Sequence, residues 1–187
     1  SVQHPWVIPP QVLNAAALVS FNLHNAKLPE YRGYNSCNHA ILNGDRVYTC
    51  TLHHMAADAD RGDIALEETF DIAADETARS LYGRAMEAGL AVMRRFLDGL
   101  ISQRPLPLKP MAGSGAFYRR DSLEGLREIK NIGDIEEADR KSRALFFPPF
   151  EPAYYRQPDG RRCYVLPPCF AQFAHEFAGV SAGKWRR

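Results

Sequence analysis

Apolar positions along the first hundred residues follow two spacings, one typical of strands and one of a helix. A continuous apolar run that turns polar at its end predicts a buried strand over residues 17–24. β-branched and aromatic side chains favour a second strand over 46–54, and apolar and polar positions alternate over 64–72 as in a third. Over 75–102 the apolar side chains recur at helical spacing, which predicts a long helix with Asp75 as its N-cap.

Turn-forming residues separate these elements. Asn35 is predicted to cap a short helix that ends before Asn43-Gly44. Between the second and third strands, the acidic and glycine-containing stretch 56–63 predicts a loop that carries carboxylates. The prolines and glycines of 104–116 cannot continue the long helix, so we expect an extended linker there.

The last third of the chain has a different composition, rich in aromatic residues and proline. Helical spacing predicts helices over 122–130 and 135–145. Asp159-Gly160 lies between two runs that favour strands, which predicts a β-hairpin. Three segments are therefore expected: a core over 1–103, a linker over 104–116 and a C-terminal subdomain over 117–187.

Composition narrows the class of protein. The chain has 187 residues, 45% of them apolar and 24% charged, which allows one or two folded domains with a real core. A formal net charge of +1 creates no strong field toward nucleic acid or anionic lipid. No apolar run reaches the ~20 residues of a membrane span and no signal peptide is visible, so we expect a cytoplasmic protein with no nucleic-acid or membrane partner. The four cysteines lack the paired spacing of structural zinc sites and are expected to be free thiols.

Two polar residues end the first predicted strand. Residues two apart on a strand share a face, so Asn22 and His24 point to one side while Phe21 and Leu23 point to the other. In α/β proteins, ligands bind beyond the carboxyl ends of strands, where these two side chains lie. Taken alone, the pair favours a structural role in which both groups are hydrogen-bonded.

Residues that follow this pair define a longer pattern. Asn22-Leu23-His24 is followed by the Leu28-Pro29 and Arg32-Gly33 dipeptides, and Asp60-Arg61-Gly62 comes thirty-six positions after the histidine. In order and spacing, these motifs resemble those of the folate-dependent formyltransferases. Tyr31-Arg32-Gly33-Tyr34-Asn35 and the aromatic Pro-Pro-Phe segment at 147–150 resemble members that act on nucleotide-linked amino sugars. The resemblance spans roughly residues 1–165.

The resemblance implies a fold and an activity. The fold would be α/β, a partial doubly wound (Rossmann-like) formyltransferase sheet with a C-terminal helix and β-hairpin extension. Family members open with a glycine-bearing βαβ segment, so we expect the first half of that sheet to be missing from this chain. The activity would be transfer of a formyl group from formyl-tetrahydrofolate, without a metal, to the amine of a nucleotide-linked amino sugar for surface polysaccharide synthesis. A homodimer is expected.

The resemblance also assigns roles to residues. Formyl transfer passes through a tetrahedral oxyanion, for which the Asn22 amide would be the donor. His24 would move the proton, and the Asp60 carboxylate would orient and charge-stabilise its imidazole. The folate would contact Trp6, Val7, Ile8, Met55 and Asp58. The acceptor would contact Arg32, Tyr34 and Asn35. His53 and His54 are predicted to be structural.

Three alternative readings stay open. The acceptor amine could belong to an aminoacyl-tRNA or a purine precursor, although the near-zero net charge argues against tRNA. The chain could be a catalytically silent fragment or a dimerisation module that uses the C-terminal hairpin. Asp58-Ala59-Asp60 could be the metal-binding Asp-x-Asp of a sugar transferase.

Overall fold

Eleven regular elements are present in the computed structural model, which describes residues 1–2, 4, 8–16, 19–56 and 58–170. The helices are α1 (Pro10–Asn14), α2 (Ser36–Asn43), α3 (Ala78–Ile101) and α4 (Ile135–Ala144). The strands are β1 (Phe21–His24), β2 (Tyr31–Gly33), β3 (Val47–His54), β4 (Ile64–Asp71), β5 (Ala116–Tyr118), β6 (Tyr154–Arg156) and β7 (Arg162–Tyr164). Within these ranges, no helix is both long enough and apolar enough to cross a membrane.

An antiparallel sheet of order β1-β3-β4 carries the candidate site. In the β1–β3 register, Asn22 lies opposite His53 and His24 lies opposite Thr51. Directly opposed residues of an antiparallel pair point to the same face, so these four side chains share one side of the sheet. The β3–β4 register shifts between Leu52 and His53.

The other face of this sheet is covered by α3. The buried centre of the contact is formed by four residues, one from each of the three strands and one from the helix: Leu23, Leu52, Ala65 and Val92. Four partly buried residues pack around this centre: Phe21, Leu66, Met93 and Phe96. The Phe21 and Phe96 rings meet edge to face with centroids 5.1 Å apart. Burying one such aliphatic side chain stabilises the fold by about 1.5–3 kcal/mol. Because Phe21 and Leu23 face the helix, Asn22 and His24 are directed to the opposite side, as the alternation predicted.

A two-stranded parallel ribbon, β2 with β5, lies beside this sheet in the same unit. Tyr34 N–H donates to the Tyr118 carbonyl at 2.9 Å and Ala116 N–H donates to the Glu30 carbonyl at 3.3 Å. At Gly33, where φ is +86°, a Cβ atom would lie 2.3 Å from the Tyr118 carbonyl oxygen. Only glycine allows the two strands to approach this closely at that backbone conformation.

The described chain divides into two compact units. The first comprises Ser1–Ser36, Val47–Asp71 and Gly83–Arg120, so it holds β1 to β5 and most of α3. The second comprises Cys37–Arg46, Ile72–Tyr82 and the described residues from Asp121 onward. The division of the chain at residues 103 and 116 stays a prediction.

The second unit contains α4 and the hairpin β6–β7, both of which were predicted. Asp134 is the N-cap of α4, since its side chain accepts a hydrogen bond from the Glu137 N–H. Acidic residues in the first turn and basic residues in the last turn of α4 match the helix dipole. The hairpin strands pair antiparallel across the predicted Asp159-Gly160 turn.

The predicted helix over 122–130 was wrong. This segment forms successive turns, and Gly125 has a φ of +80°, which interrupts helical geometry. Its last residues pair with β6 instead: Ile129 N–H donates to the Tyr154 carbonyl and Tyr154 N–H donates to the Arg127 carbonyl. Pairing with a strand far along the chain therefore overrides the local helical spacing.

Two boundaries also differ from the prediction. The first strand begins at Phe21 rather than at 17, and Val19 is 53% exposed; residues 17 and 18 lie outside the described residues. The long helix begins at Ala78, and Asp75 is not its cap. Thr77 Oγ1 accepts from the Ser80 N–H at 3.1 Å while Ser80 Oγ accepts from the Thr77 N–H at 3.0 Å. This reciprocal pair fixes the start of the helix two residues later.

Candidate active site

The loop between β3 and β4 places a carboxylate against the polar face of the sheet. Asp60 lies in this loop with a φ of +53°. Two residues later, a Cβ atom on Gly62 would lie 2.0 Å from the His54 carbonyl oxygen, so the loop closes on the end of β3 only because residue 62 is glycine. The Asp-x-Gly pattern therefore has a geometric reason, since it folds the carboxylate back toward β1.

Both oxygens of this carboxylate have polar neighbours. Oδ1 of Asp60 lies 3.6 Å from His24 Nδ1 and 3.5 Å from His53 Nε2. Oδ2 accepts a hydrogen bond from the Gly33 N–H at 3.0 Å. The Asp60 side chain is only 13% exposed. One carboxylate thus connects β1, β2 and β3.

These neighbours keep the carboxylate ionised. Burial raises the pKa of Asp60, because an apolar environment disfavours charge. The two imidazoles and the Gly33 N–H act in the opposite direction and prevail, which lowers the pKa to about 2. Near neutral pH the site therefore contains a fixed negative charge.

His24 is buried at the end of β1 and is 8% exposed. Its Nε2 donates to the Tyr31 carbonyl at 2.7 Å, which leaves Nδ1 directed toward Asp60. Burial lowers the pKa of His24, and the raising effects of Asp60 and the Tyr31 carbonyl do not offset this. The imidazole is consequently neutral near pH 7, and Nδ1 is the nitrogen that can accept a proton.

His53 and Asn22 complete the cluster. His53 is 2% exposed, and its Nδ1 donates to the His54 carbonyl at 2.6 Å, so Nε2 faces Asn22 and Asp60. Asn22 Nδ2 lies 3.4 Å from this Nε2. The Asn22 Oδ1 atom is buried and has no hydrogen-bond partner among the described residues. A buried amide with one unmatched atom is unusual in a group that serves packing alone.

The structure brings Asn22, His24 and Asp60 together, although their catalytic roles stay predictions. His53 is the residue that sequence reasoning placed elsewhere, as a structural histidine. Its position depends on the β1–β3 register, which sets it directly opposite Asn22. The pairing register of two strands cannot be read from one sequence. The seven-residue interval from His53 to Asp60, across the loop that joins β3 and β4, was nevertheless a signal that the two side chains could meet.

The three predicted acceptor residues lie along β2 and just after it. Arg32 is half-buried, its guanidinium carbon is 5.8 Å from the Phe117 ring centroid, and its Nε has no partner among the described residues. Tyr34 lies under the Arg120 guanidinium, at 4.9 Å. Asn35 donates from Nδ2 to the Arg120 carbonyl at 3.1 Å. Their role in binding stays a prediction.

The predicted folate contacts are only partly described. Trp6 and Val7 lie outside the described residues, and Ile8 is half-buried. Met55 follows β3 directly and its N–H donates to the Ser20 carbonyl at 2.8 Å. Asp58 is exposed in the same loop as Asp60. The described part of the chain contains no group of three or more metal-ligating side chains arranged to hold an ion.

Comparison with known proteins defines the class. Residues 2–97 match the family described as formyl transferase, which is more than half of the chain. The chain belongs to this family, and the resemblance found in its motifs is confirmed.

Particular relatives include enzymes that act on sugars and on tRNA. A GDP-perosamine N-formyltransferase of Brucella melitensis is 32% identical over 165 residues, which are 88% of this chain and 62% of that protein. A methionyl-tRNA formyltransferase of Alkaliphilus oremlandii is 32% identical over 140 residues, which are 70% of this chain and 45% of that protein. The chain thus spans less than two thirds of the length of these relatives.

Solved structures share the fold. A 4-N formyltransferase from Francisella tularensis superposes with a TM-score of 0.77 at 20% identity, covering 88% of this chain and 67% of that one. An N-formyltransferase from Helicobacter canadensis, solved with folinic acid and dTDP-3-aminofucose, superposes with a TM-score of 0.60 at 25% identity, covering 68% of this chain and 47% of that one. The predicted α/β formyltransferase fold is confirmed.

Proposed function

We propose that the protein transfers a formyl group from formyl-tetrahydrofolate to the primary amine of a nucleotide-linked amino sugar. The observation that carries this proposal is the convergence of His24 and His53 on the buried carboxylate of Asp60, with the Asn22 amide beside His53. Family membership and the sugar-modifying relative support the choice of reaction and acceptor. The folinic acid bound by the Helicobacter canadensis protein supports the choice of donor.

The reaction needs one bond made, one broken and two proton movements. The acceptor nitrogen attacks the formyl carbon, and the carbon–nitrogen bond to the folate then breaks. The acceptor nitrogen loses a proton and the folate nitrogen gains one. A group that gives and takes protons near neutrality is therefore required beside the reacting atoms.

His24 supplies that group in the proposed mechanism. Its neutral form dominates near pH 7, and the proton accepted at Nδ1 points at Asp60 Oδ1, 3.6 Å away. The resulting imidazolium and carboxylate attract each other in a site shielded from water, which stabilises the charged intermediate. The Tyr31 carbonyl holds the other ring nitrogen, so the imidazole keeps its orientation through the cycle.

Asn22 supplies the oxyanion donor. Its Nδ2 has two hydrogens, of which the His53 lone pair accepts at most one. The second is left for the developing oxygen charge at the formyl carbon. His53 thus positions the amide, because its own tautomer is set by the His54 carbonyl.

Binding of the two substrates is assigned as the motifs predicted. Folate would contact Ile8, Met55 and Asp58 together with Trp6 and Val7. The acceptor would contact Arg32, Tyr34 and Asn35, and the product would serve surface polysaccharide synthesis. We propose that the protein acts as a homodimer, which sedimentation of the native protein tests.

The experiment is a direct transfer assay on this protein. It is incubated with formyl-tetrahydrofolate and, in separate reactions, GDP-perosamine, a dTDP-linked aminofucose, methionylated initiator tRNA and glycinamide ribonucleotide. Mass spectrometry of each acceptor detects the added formyl group. Formylation of a sugar nucleotide supports the proposal. Formylation of the tRNA or the purine precursor alone would show that the acceptor is not a sugar nucleotide. No transfer to any acceptor favours the silent-fragment reading, and activity abolished by a chelator favours the Asp-x-Asp reading.

Variants then test the assigned roles. We expect Asn22→Ala and His24→Asn to lower kcat by about a hundredfold or more, the size seen when a single oxyanion donor or general base is removed. His53→Gln is expected to lower kcat with little change in KM. His54→Gln is the matched control, since its ring packs on Phe21 on the other face of the sheet with centroids 4.4 Å apart. Undiminished turnover in His24→Asn would exclude the mechanism.

A further inference from the structure

The surface formed by β2 and β5 carries four side chains that the reaction chemistry does not use. Arg32 and Phe117 are direct partners in the β2–β5 register. Arg120 follows β5, and its guanidinium lies over Tyr34, 4.9 Å from the ring centroid. We call Arg32, Tyr34, Phe117 and Arg120 the β2–β5 cluster. Two cations and two aromatic rings thus lie on, or directly after, one pair of strands.

Two features of this cluster point to a ligand. The Nε atom of Arg32 is buried and has no hydrogen-bond partner among the described residues, although buried donors are nearly always paired. Phe117 is 50% exposed, with the Arg32 guanidinium carbon 5.8 Å from its ring centroid. A guanidinium donor without a partner suits an anionic group, and a half-exposed aromatic ring suits a planar group that can stack on it. A ligand that contains both groups would therefore fit here.

Hydrogen bonds tie the cluster to the strand that contacts the candidate site. Asn35 Nδ2 donates to the Arg120 carbonyl at 3.1 Å, and Tyr34 N–H donates to the Tyr118 carbonyl at 2.9 Å, so backbone and side-chain contacts tie the Arg120 segment to β2. Gly33, the residue after Arg32, donates its N–H to Asp60 at 3.0 Å. The cluster and the proton-transfer groups are therefore joined through neighbouring residues of β2.

We propose that the β2–β5 cluster binds the nucleoside diphosphate part of the acceptor, an inference that rests on the proposed sugar-nucleotide acceptor. Arg32 and Arg120 contact the diphosphate, for which the planar, permanently charged guanidinium is suited. The exposed ring of Phe117 stacks on the base, and Tyr34 holds Arg120 in place. This assignment adds Phe117 and Arg120 to the acceptor residues that the motifs indicated.

Equilibrium binding separates this inference from catalysis. Isothermal titration of the whole protein with GDP, UDP, dTDP, the matching nucleosides and inorganic pyrophosphate measures each part of the ligand. We expect Arg120→Gln to weaken binding of the diphosphates about tenfold and to leave nucleoside binding nearly unchanged. Phe117→Ala should weaken nucleosides and diphosphates about tenfold, whereas pyrophosphate binding should not change. Phe117→Tyr should restore binding.

Controls and outcomes are as follows. Arg94→Gln and Leu97→Ala remove an exposed cation and an exposed apolar side chain from α3, and both should bind like the parent. Parent protein that binds none of the diphosphates, or cluster variants that bind them as the parent does, would overturn the inference. If diphosphates bind as described while no acceptor is formylated, the cluster stands and the proposed function fails. If sugar nucleotides are formylated and KM is unchanged in Phe117→Ala and Arg120→Gln, the cluster assignment alone fails.

Discussion

Replacing Asp60 by asparagine removes one buried charge and little volume, so it measures how strongly the fold depends on that charge. The asparagine oxygen can still accept from the Gly33 N–H, but the negative charge that lies between the His24 and His53 rings is lost. The pKa of Asp60 is lowered from 3.8 to about 2. At about 1.36 kcal/mol per pH unit, the ionised carboxylate stabilises the folded state by about 2 kcal/mol at pH 7.

The sign of the pH dependence follows from the direction of that shift. A carboxylate with a lowered folded-state pKa contributes its stability above its unfolded pKa of 3.8, and loses it as the pH falls toward about 2. We therefore expect Asp60→Asn to unfold with about 2 kcal/mol less free energy than the parent at pH 7. The difference should shrink to roughly 1 kcal/mol at pH 3, where much of the parent's contribution is gone.

Urea unfolding at pH 7, 5 and 3, followed by far-ultraviolet circular dichroism, measures these differences. Asp58→Asn is the control, because Asp58 is exposed in the same loop. It should differ from the parent by no more than about 0.5 kcal/mol at any pH. A constant gap between Asp60→Asn and the parent from pH 7 to pH 3, or no gap at pH 7, would refute the placement of a buried anion between the imidazoles.

Three further predictions concern the backbone, the histidine and the helix start. Gly33→Ala should lower the free energy of unfolding by at least about 2 kcal/mol and abolish most of the transfer activity, because the new Cβ would lie 2.3 Å from a carbonyl oxygen of β5. Gly125→Ala is the control: its φ is also positive but the space around it is open, so urea unfolding should show a smaller loss. Burial lowers the pKa of His24 below 6.5, so the acid limb of the kcat/KM profile against pH should have its midpoint below pH 6.5. A midpoint above pH 6.5 would contradict a neutral His24 imidazole. Thr77→Ala should lower the free energy of unfolding by about 1 kcal/mol, because the helix loses its N-cap. Asp75→Ala should change the denaturation midpoint little. A larger loss for Asp75→Ala than for Thr77→Ala would show that Asp75 is the N-cap.

Much of the fold was readable from local patterns, because the elements concerned depend on neighbours in sequence. The helical stripe of α3, the alternation of β4 and the Asp159-Gly160 hairpin are of this kind, and all three were confirmed. The helix expected over 122–130 failed, since its residues pair with a strand some twenty-five positions later. Non-local pairing has no signature in the spacing of one segment.

The candidate site shows the same division. Alternation along β1 predicted that Asn22 and His24 share a face, and the family motif linked them to Asp60. His53 was assigned to structure because its relation to Asn22 exists only through the β1–β3 register. Phe117 and Arg120 were given no role in acceptor binding for a related reason, since a parallel pairing joins β5 to a strand more than eighty residues earlier. A cytoplasmic location, the dimer and the segment boundaries stay predictions.

In the short strand β2, backbone groups and a side chain make different contacts. Its peptide groups at Tyr31 and Gly33 hold His24 and Asp60, whereas the intervening Arg32 presents its side chain to the β2–β5 cluster. The contacts to His24 and Asp60 thus use backbone atoms that every residue has, whereas the proposed contact with the acceptor uses the side chain of residue 32. A substitution at position 32 would therefore leave the backbone contacts to His24 and Asp60 in place.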